Sequence, residues 1–598
     1  MYLRLCILFV LLTVLVGAEP DPHSFSRPEQ AQVTHLDLDI AVDFQKKQLI
    51  GSASWDFQLK EGNKIVFDAK DMQIRSVQAD GKYLPFALGP EVKWLGQSLT
   101  VYVPDGTKRV TINYATRPEA AALQWLKPVQ TAGKKEPFLF TQSQAILARS
   151  WIPCQDTPGV RYTYDAKVKV PPQLLALMSA TNPTEKNAEG VYSFRMPQPI
   201  PSYLMAMAVG DLEFRSLGDV TGIYAEPVMM EKSAYEFAET ERMVDAVEKM
   251  YGPYRWGRYD MLVLPPSFPF GGMENPRLTF LTPTVIAGDR SLTSLIAHEL
   301  AHSWSGNLVT NANWNDFWLN EGFTVYLERR IMEELYGKDY ADMLARLGYG
   351  DLEHTLEETP SIDTHLKLEL KGRDPDEGLS DIAYEKGYFF LRSLEDQVGR
   401  EKFDKFLREY FDDNAFGTMT TEAFLERVKN RLGPDLGVDK WVYSAGLPSS
   451  FQEPVSTRFQ QVDNQKERFF SGTAPSELET KGWTTHEWLR FLRDLPDTTT
   501  VAQMKALDQQ FHFTDSGNSE ILAQWLVTAI HVGYEPAYPA VERFLVRVGR
   551  RKFLTPLYRE LVKTPEGKER ARKIYAKARP NYHSVSVGTI DEIVGWGE

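Results

Sequence analysis

Cysteine is almost missing from this chain: there are two in 598 residues, Cys6 and Cys154. Cys6 falls in an apolar leader, so the rest of the chain keeps Cys154 alone and cannot form an internal disulfide. Stability then has to come from packing or from a bound metal. Long apolar runs are also scarce. Leu5 to Val16 is one, but it is shorter than the ~20 residues a helical span needs, and no later stretch is apolar enough to cross a bilayer. A basic excess is lacking too: 67 Lys and Arg stand against 81 Asp and Glu, a formal net charge of −14. That balance offers no field for nucleic acid or for an anionic membrane, so neither is expected as a partner.

What the leader does contain is Arg4, the apolar run and the small residues Val16-Gly17-Ala18. This is the layout of a secretory signal, residues 1–18, with cleavage expected after Ala18. The remaining chain is therefore expected to be exported, periplasmic or secreted, with no stable membrane insertion after cleavage. The composition is otherwise that of a globular protein, 43% hydrophobic and 25% charged, and the length calls for about two to four domains.

Leu36 to Phe44 alternates apolar with polar or small residues, the period of a half-buried strand. Further β-like runs follow at Lys64 to Asp68, Ser98 to Val103, Arg109 to Tyr114, Ala166 to Val170 and Val191 to Arg195. Residues 19–216 are thus read as a β-rich N-terminal domain. Helical periodicity begins near Glu231 and stops at Gly252-Pro253, and a mixed α/β domain is expected over 217–448. Residues 449–482 are polar, with Pro454, Gly472 and Pro475, and read as a linker. Beyond them, Thr484-Thr485-His486-Glu487 is a capping box, and Ile521, Leu522, Trp525, Leu526 and Ala529 form an apolar stripe with Asn518 as cap. Residues 483–598 are expected to be all-helical and layered.

The chemistry concentrates in His298-Glu299-Leu300-Ala301-His302 and in Glu321, within Asn-Glu-Gly. Positions four apart share a helix face, so His298 and His302 can aim two imidazoles at one ion. Two neutral nitrogens and one carboxylate make the ligand set of a catalytic zinc site, with a fourth position left for water. Glu299 is then free to take a proton.

The separation of His302 from Glu321 resembles the zinc aminopeptidases of the gluzincin clan, and the third histidine of the metzincin pattern is absent. That resemblance implies one zinc ion per chain, bound by His298, His302 and Glu321, with Glu299 as general base. Upstream, Gly271-Gly272-Met273-Glu274-Asn275 matches the Gly-x-Met-Glu-Asn strand of the same family. There the glycines let the backbone approach a peptide, and Glu274 would take its free α-ammonium. Short peptides with a free N-terminus are the implied substrates.

A narrower likeness covers nearly the whole chain after the leader. Thr141-Gln142-Ser143-Gln144-Ala145, Pro153 to Pro158, Pro265 to Pro276 and Gly306 to Asn311 resemble the leukotriene hydrolase/aminopeptidase branch. The fold it implies is multidomain α+β: a β-rich N-terminal domain, a thermolysin-like α/β catalytic domain and a helical C-terminal domain. It also implies that Tyr384 donates to the oxyanion, that Gln144 helps Glu274 hold the amine, and that Arg550 and Lys552 receive a peptide carboxylate. Trp314 and Phe317 could line the pocket for the first side chain, or could serve only the packing of their helix. The branch also opens a lipid epoxide with an aspartate matched here by Asp376. It pairs that aspartate with a tyrosine, and this chain has Leu379 at that position. The sequence carries nothing about oligomeric state.

Overall fold

The computed structural model describes residues 21–597; the expected signal, residues 1–18, lies outside the described residues. The first strand, Ala31–Asp43, shows how the alternating pattern becomes a sheet. Leu36, Leu38, Ile40 and Val42 are buried, while Asp37 and Asp39 between them are not. A register shift between Val33 and His35 against the neighbouring strand Gln48–Leu59 lets Val33 and Leu36 both face inward. A strict period of two would place residues three apart on opposite faces.

This strand sits inside a seven-stranded sheet ordered Val191–Pro201, Arg161–Lys169, Ala31–Asp43, Gln48–Leu59, Arg109–Thr116, Met72–Ala79, Lys82–Tyr83. A second, four-stranded sheet runs Leu175–Met178, Met207–Gly210, Phe138–Thr141, Leu123–Leu126. Its strands are buried almost throughout and so read as continuous apolar runs. Phe138–Thr141 leads directly into Gln142 and Gln144, which delivers those side chains to the catalytic domain.

The catalytic domain opens on a five-stranded sheet ordered Glu213–Ser216, Thr221–Ala225, Tyr259–Val263, Thr279–Leu281, Gly272–Met273. The expected boundary after residue 216 cuts through this sheet's first hairpin, in which Glu213 pairs with Ala225 and Ser216 with Gly222. The catalytic sheet therefore starts at Glu213; the turn-prone Gly218 marks a hairpin tip, not a domain junction. The helix expected from Glu231 is two helices, Met230–Glu236 and Thr240–Tyr251, parted where the Thr240 hydroxyl donates to the Phe237 carbonyl at 2.7 Å. Behind the sheet lie Ser294–Ala301, Trp318–Tyr336 and Lys338–Glu358. Trp318 to Leu327 is buried on every side, which makes that helix the axis of the domain.

The C-terminal helices have a hydrophobic core of their own, with Phe491, Trp525, Leu557 and Tyr575 fully enclosed. The expected caps are in place: the Glu487 carboxylate accepts from the Thr484 amide at 2.9 Å, and Asn518 accepts from the Glu520 amide at 3.0 Å. The segment read as a linker, 449–482, is largely not one. It carries the helix Thr457–Phe470, whose Phe459, Val462 and Phe469 belong to this C-terminal core. Three apolar anchors among polar residues are too sparse to show as a stripe in the sequence, yet each fills a buried site. Among the described residues no helix is long and apolar enough to cross a membrane. Phe459→Ala is expected to destabilise the C-terminal domain by about 3 kcal/mol, seen as an earlier C-terminal transition in differential scanning calorimetry. An unchanged transition would mean that the segment is a tether after all.

Candidate active site

Helix Ser294–Ala301 and helix Trp318–Tyr336 pack side by side and turn three ligand atoms to one point. His298 Nε2 is 3.2 Å and His302 Nε2 is 3.5 Å from Glu321 Oε2, and the two nitrogens are 3.3 Å apart. Tetrahedral zinc at about 2.0–2.1 Å from each ligand would require ligand separations of about 3.3–3.4 Å. The three residues therefore fit zinc, and Glu321 Oε2 is a buried oxygen that faces the two imidazole nitrogens. The outer nitrogens are held as well. Glu328 lies 3.1 Å from His298 Nδ1; the Ser305 carbonyl and the Thr324 hydroxyl each lie 3.1 Å from His302 Nδ1. Such partners fix the direction and tautomer of a ligating imidazole. Another trio, His35, Asp37 and Asp165, lies half-exposed on the N-terminal sheet, where Arg109 already occupies Asp37.

Burial of this many charges shifts their protonation. Glu321 is driven up by burial but pulled further down, to about 2, by the two imidazoles. Burial lowers His298, yet its bonds to Glu321 and Glu328 hold it well above the ordinary imidazole value. His302 is likewise raised against the effect of burial, by Glu274 and Glu321. Glu299, buried and not needed as a ligand, is pushed up to about 8. Carboxylate oxygens of Glu274 and Glu299 and a nitrogen of His302 lie within 4.8 Å of one another, so Glu274 and Glu299 flank the metal site.

The Gly-x-Met-Glu-Asn strand forms the edge of the five-stranded sheet beside this cluster. Gly272 pairs with Leu281 and Met273 with Phe280. A Cβ at Gly272 would lie 2.1 Å from Glu299 Oε1, and one at Gly271 would lie 2.8 Å from Arg550 Nη2, so neither position admits a side chain without displacement. Met273 is buried against the Gln142 amide at 3.3 Å, and Asn275 is buried behind it. The Glu274 side chain is 3.4 Å from Gln144 Nε2, and its carbonyl accepts from Asn307 Nδ2 at 2.7 Å.

Tyr384 lies in a π-helical turn, Ile382–Lys386, a local widening often found at functional positions. Its ring stacks on His298 at 6.0 Å and meets Phe317 edge-on at 6.2 Å. Burial, with Glu321 adding to it, holds the phenol well above its usual value, so it keeps its proton. Lys386 anchors the turn through the Thr364 and Ser444 carbonyls at 2.7 and 2.9 Å. Trp314 and Phe317 are buried in packing with Tyr203 and Tyr384, and neither lines the cleft.

Gln144, Glu274, His298, Glu299, His302, Glu321 and Tyr384 open on a cleft of about 540 Å³ whose far wall comes from the C-terminal domain. Arg550 and Lys552 stand there, and in the free protein they share Glu520: Arg550 Nη1 donates at 3.1 Å and Lys552 Nζ at 3.0 Å. Leu379 lines the cleft but Asp376 does not; burial and Asp374 raise Asp376 to about 7. Glu328, Asn307 and Glu520 are functional neighbours that sequence reasoning missed. Glu328 had a signal, seven positions after Glu321 on the same helix face, whereas Asn307 and Glu520 had none.

Comparison with known proteins agrees along the whole chain. Residues 235–442 match the peptidase family M1 domain, residues 32–204 the peptidase M1 N-terminal domain, and residues 483–594 the leukotriene A4 hydrolase C-terminal domain. Leukotriene A-4 hydrolase of Xenopus laevis is 39% identical, with 95% of this chain and 98% of that protein covered. Leucine aminopeptidase 2 of Yarrowia lipolytica is 36% identical, with 95% and 92% covered. The solved structure of yeast LTA4 hydrolase in complex with bestatin superposes with a TM-score of 0.90 at 31% identity, over 97% of this chain and 98% of that one.

Metal binding should release protons. In the metal-free protein the proton affinities of His298 and His302 are raised by the carboxylates around them, and ligation requires both to be neutral. Zinc titration at pH 7 is therefore expected to expel protons, with apparent affinity falling as pH falls. Calorimetry in buffers of different ionisation enthalpy measures this; a buffer-independent enthalpy would contradict it.

Proposed function

Since the chain belongs to the M1 family of zinc metallopeptidases, in the branch of leukotriene A-4 hydrolase and leucine aminopeptidase 2, we propose that it removes the N-terminal residue from short peptides. One observation carries this reading. Glu274 stands beside the three ligands, on a strand stripped of side chains at Gly271 and Gly272, in a cleft whose other end bears Arg550 and Lys552.

Zinc held by His298, His302 and Glu321 supplies Lewis-acid activation of water and of the scissile carbonyl. The remaining work falls to the protein. Glu274, with the Gln144 amide beside it, takes the substrate ammonium and so sets the first peptide bond over the metal site. Glu299, whose buried carboxyl is raised in the metal-free protein, takes the proton from water and passes it to the departing amine. Tyr384 keeps its phenolic proton and donates to the oxygen on which negative charge develops. Arg550 and Lys552 receive the carboxylate of a short peptide.

A second reading, opening of a lipid epoxide, is supported by the likeness to leukotriene A-4 hydrolase, although the matched aspartate, Asp376, lies off the cleft. It is opposed by Leu379, an apolar side chain on the cleft wall where the resemblance calls for a tyrosine. Direct assay with an epoxy fatty acid separates the two. Export of the chain, to the periplasm or the medium, is supported by the leader pattern through Ala18; exported protein whose N-terminus is not Glu19 would refute the cleavage site.

Glu299→Gln should keep its zinc by metal analysis while kcat falls about 10²- to 10⁴-fold. Near-normal turnover would remove Glu299 from its role. An N-acetylated peptide should be a poor substrate beside its free counterpart, and equal cleavage of the two would remove Glu274 from the amine site.

A further inference from the structure

The segment that carries Arg550 is tied by its backbone to the segment that leads into the amine-binding strand. The Gly549 amide donates to the Pro266 carbonyl and the Arg551 amide to the Pro269 carbonyl, both at 2.8 Å. These bonds cross from the C-terminal to the catalytic domain, one on either side of Arg550, and Pro269 lies two residues before Gly271. The approach is as close as the chain permits. A Cβ at Gly549 would lie 2.6 to 2.9 Å from three backbone atoms of Ser267, contacts that no real side chain makes. The Gly549 carbonyl in turn accepts from the buried Ser586 hydroxyl at 2.9 Å.

The Arg550 side chain is fixed in the same sense. One arm of its guanidinium, Nη1, donates to Thr284 Oγ1 of the catalytic domain and to Glu520 Oε1, each at 3.1 Å. Its Nε is buried without a partner, and Nη2 lies over Gly271. Nη2, the arm over Gly271 on the cleft wall, is therefore the one left to donate to a carboxylate.

We infer that this backbone clamp is a specificity device: it sets the distance between Glu274, which holds a peptide's ammonium, and Arg550, which receives its carboxylate. Gly549 is the positioning residue that makes the clamp possible. The inference rests on the aminopeptidase reading above. The cleft thereby measures a peptide from end to end, and a peptide of the wrong length loses one terminal interaction. A substrate without a carboxylate makes no use of the clamp.

The test compares Gly549→Ala with the unaltered zinc enzyme on an aminoacyl arylamide, a tripeptide and the same tripeptide as its C-terminal amide. Losing a charge-assisted contact should raise KM for the free-acid tripeptide about tenfold or more. KM for the arylamide and the amide should change by less than about twofold, within the range of an uninvolved substitution. A folded variant that loses equally on all three substrates, or that leaves the free-acid KM unchanged, overturns the clamp. Should a thermal scan show that Gly549→Ala is unfolded, Ser586→Ala replaces it by removing the hydroxyl bonded to the Gly549 carbonyl. The same pattern is then expected at about threefold, the scale of one neutral hydrogen bond; a flat free-acid KM overturns the proposal. Absence of arylamide cleavage by the unaltered enzyme would instead refute the aminopeptidase reading, so the two failures are distinct.

Discussion

The packing of one short helix against one long buried helix is the constraint on which the rest of the site depends. Ser294–Ala301 brings two imidazoles to one face, and Trp318–Tyr336 brings a carboxylate to meet them at 3.2 and 3.5 Å. A helix enclosed over its first ten residues cannot rotate or slide without opening the core around it. Glu328, on the same helix, locks the first imidazole from behind, and Thr324, one turn after Asn320, helps to lock the second. Ligand and orienting group thus share a single rigid element, as a site of fixed geometry requires.

Charge is the second constraint. Glu274, Glu299, Glu321 and Glu328 crowd two histidines on one wall of the cleft. Without a dication the cluster can satisfy only some of them. Glu321 is held ionised, while Glu274 and Glu299 are pushed towards their neutral forms. The same tension serves the chemistry, because a carboxylate raised by burial is a better proton acceptor near neutral pH. At the far wall the opposite balance holds: Arg550 and Lys552 share one anion, Glu520, which burial would raise and the two cations pull down to about 2. The cleft is therefore acidic beside the metal site and cationic at its far wall.

Much of this was legible because it is local. Spacing of four along a helix, strand alternation and the capping boxes at Thr484 and Asn518 depend on near neighbours in the chain. The errors were of one kind. Residues 449–482 looked like a tether because their apolar anchors are few, and the boundary at 216 fell on a turn that closes a hairpin; only partners distant in sequence distinguish these cases. Trp314 and Phe317 could not be assigned for the same reason: a buried aromatic and a pocket aromatic have the same local sequence.

The sequence by itself picked out the candidate reacting groups: His298, Glu299, His302 and Glu321, with Glu274 and Tyr384 added through motif likeness. Spacing on regular elements carries that information without knowledge of the fold. Only the tertiary structure decided what surrounds them. It placed Glu328 and Ser305 behind the imidazoles, set Asn307 against Glu274, and laid Gly549 against Ser267 so that Arg550 faces the peptide strand. These contacts join segments up to several hundred residues apart, and no local pattern encodes them; they exist because three domains close on one cleft.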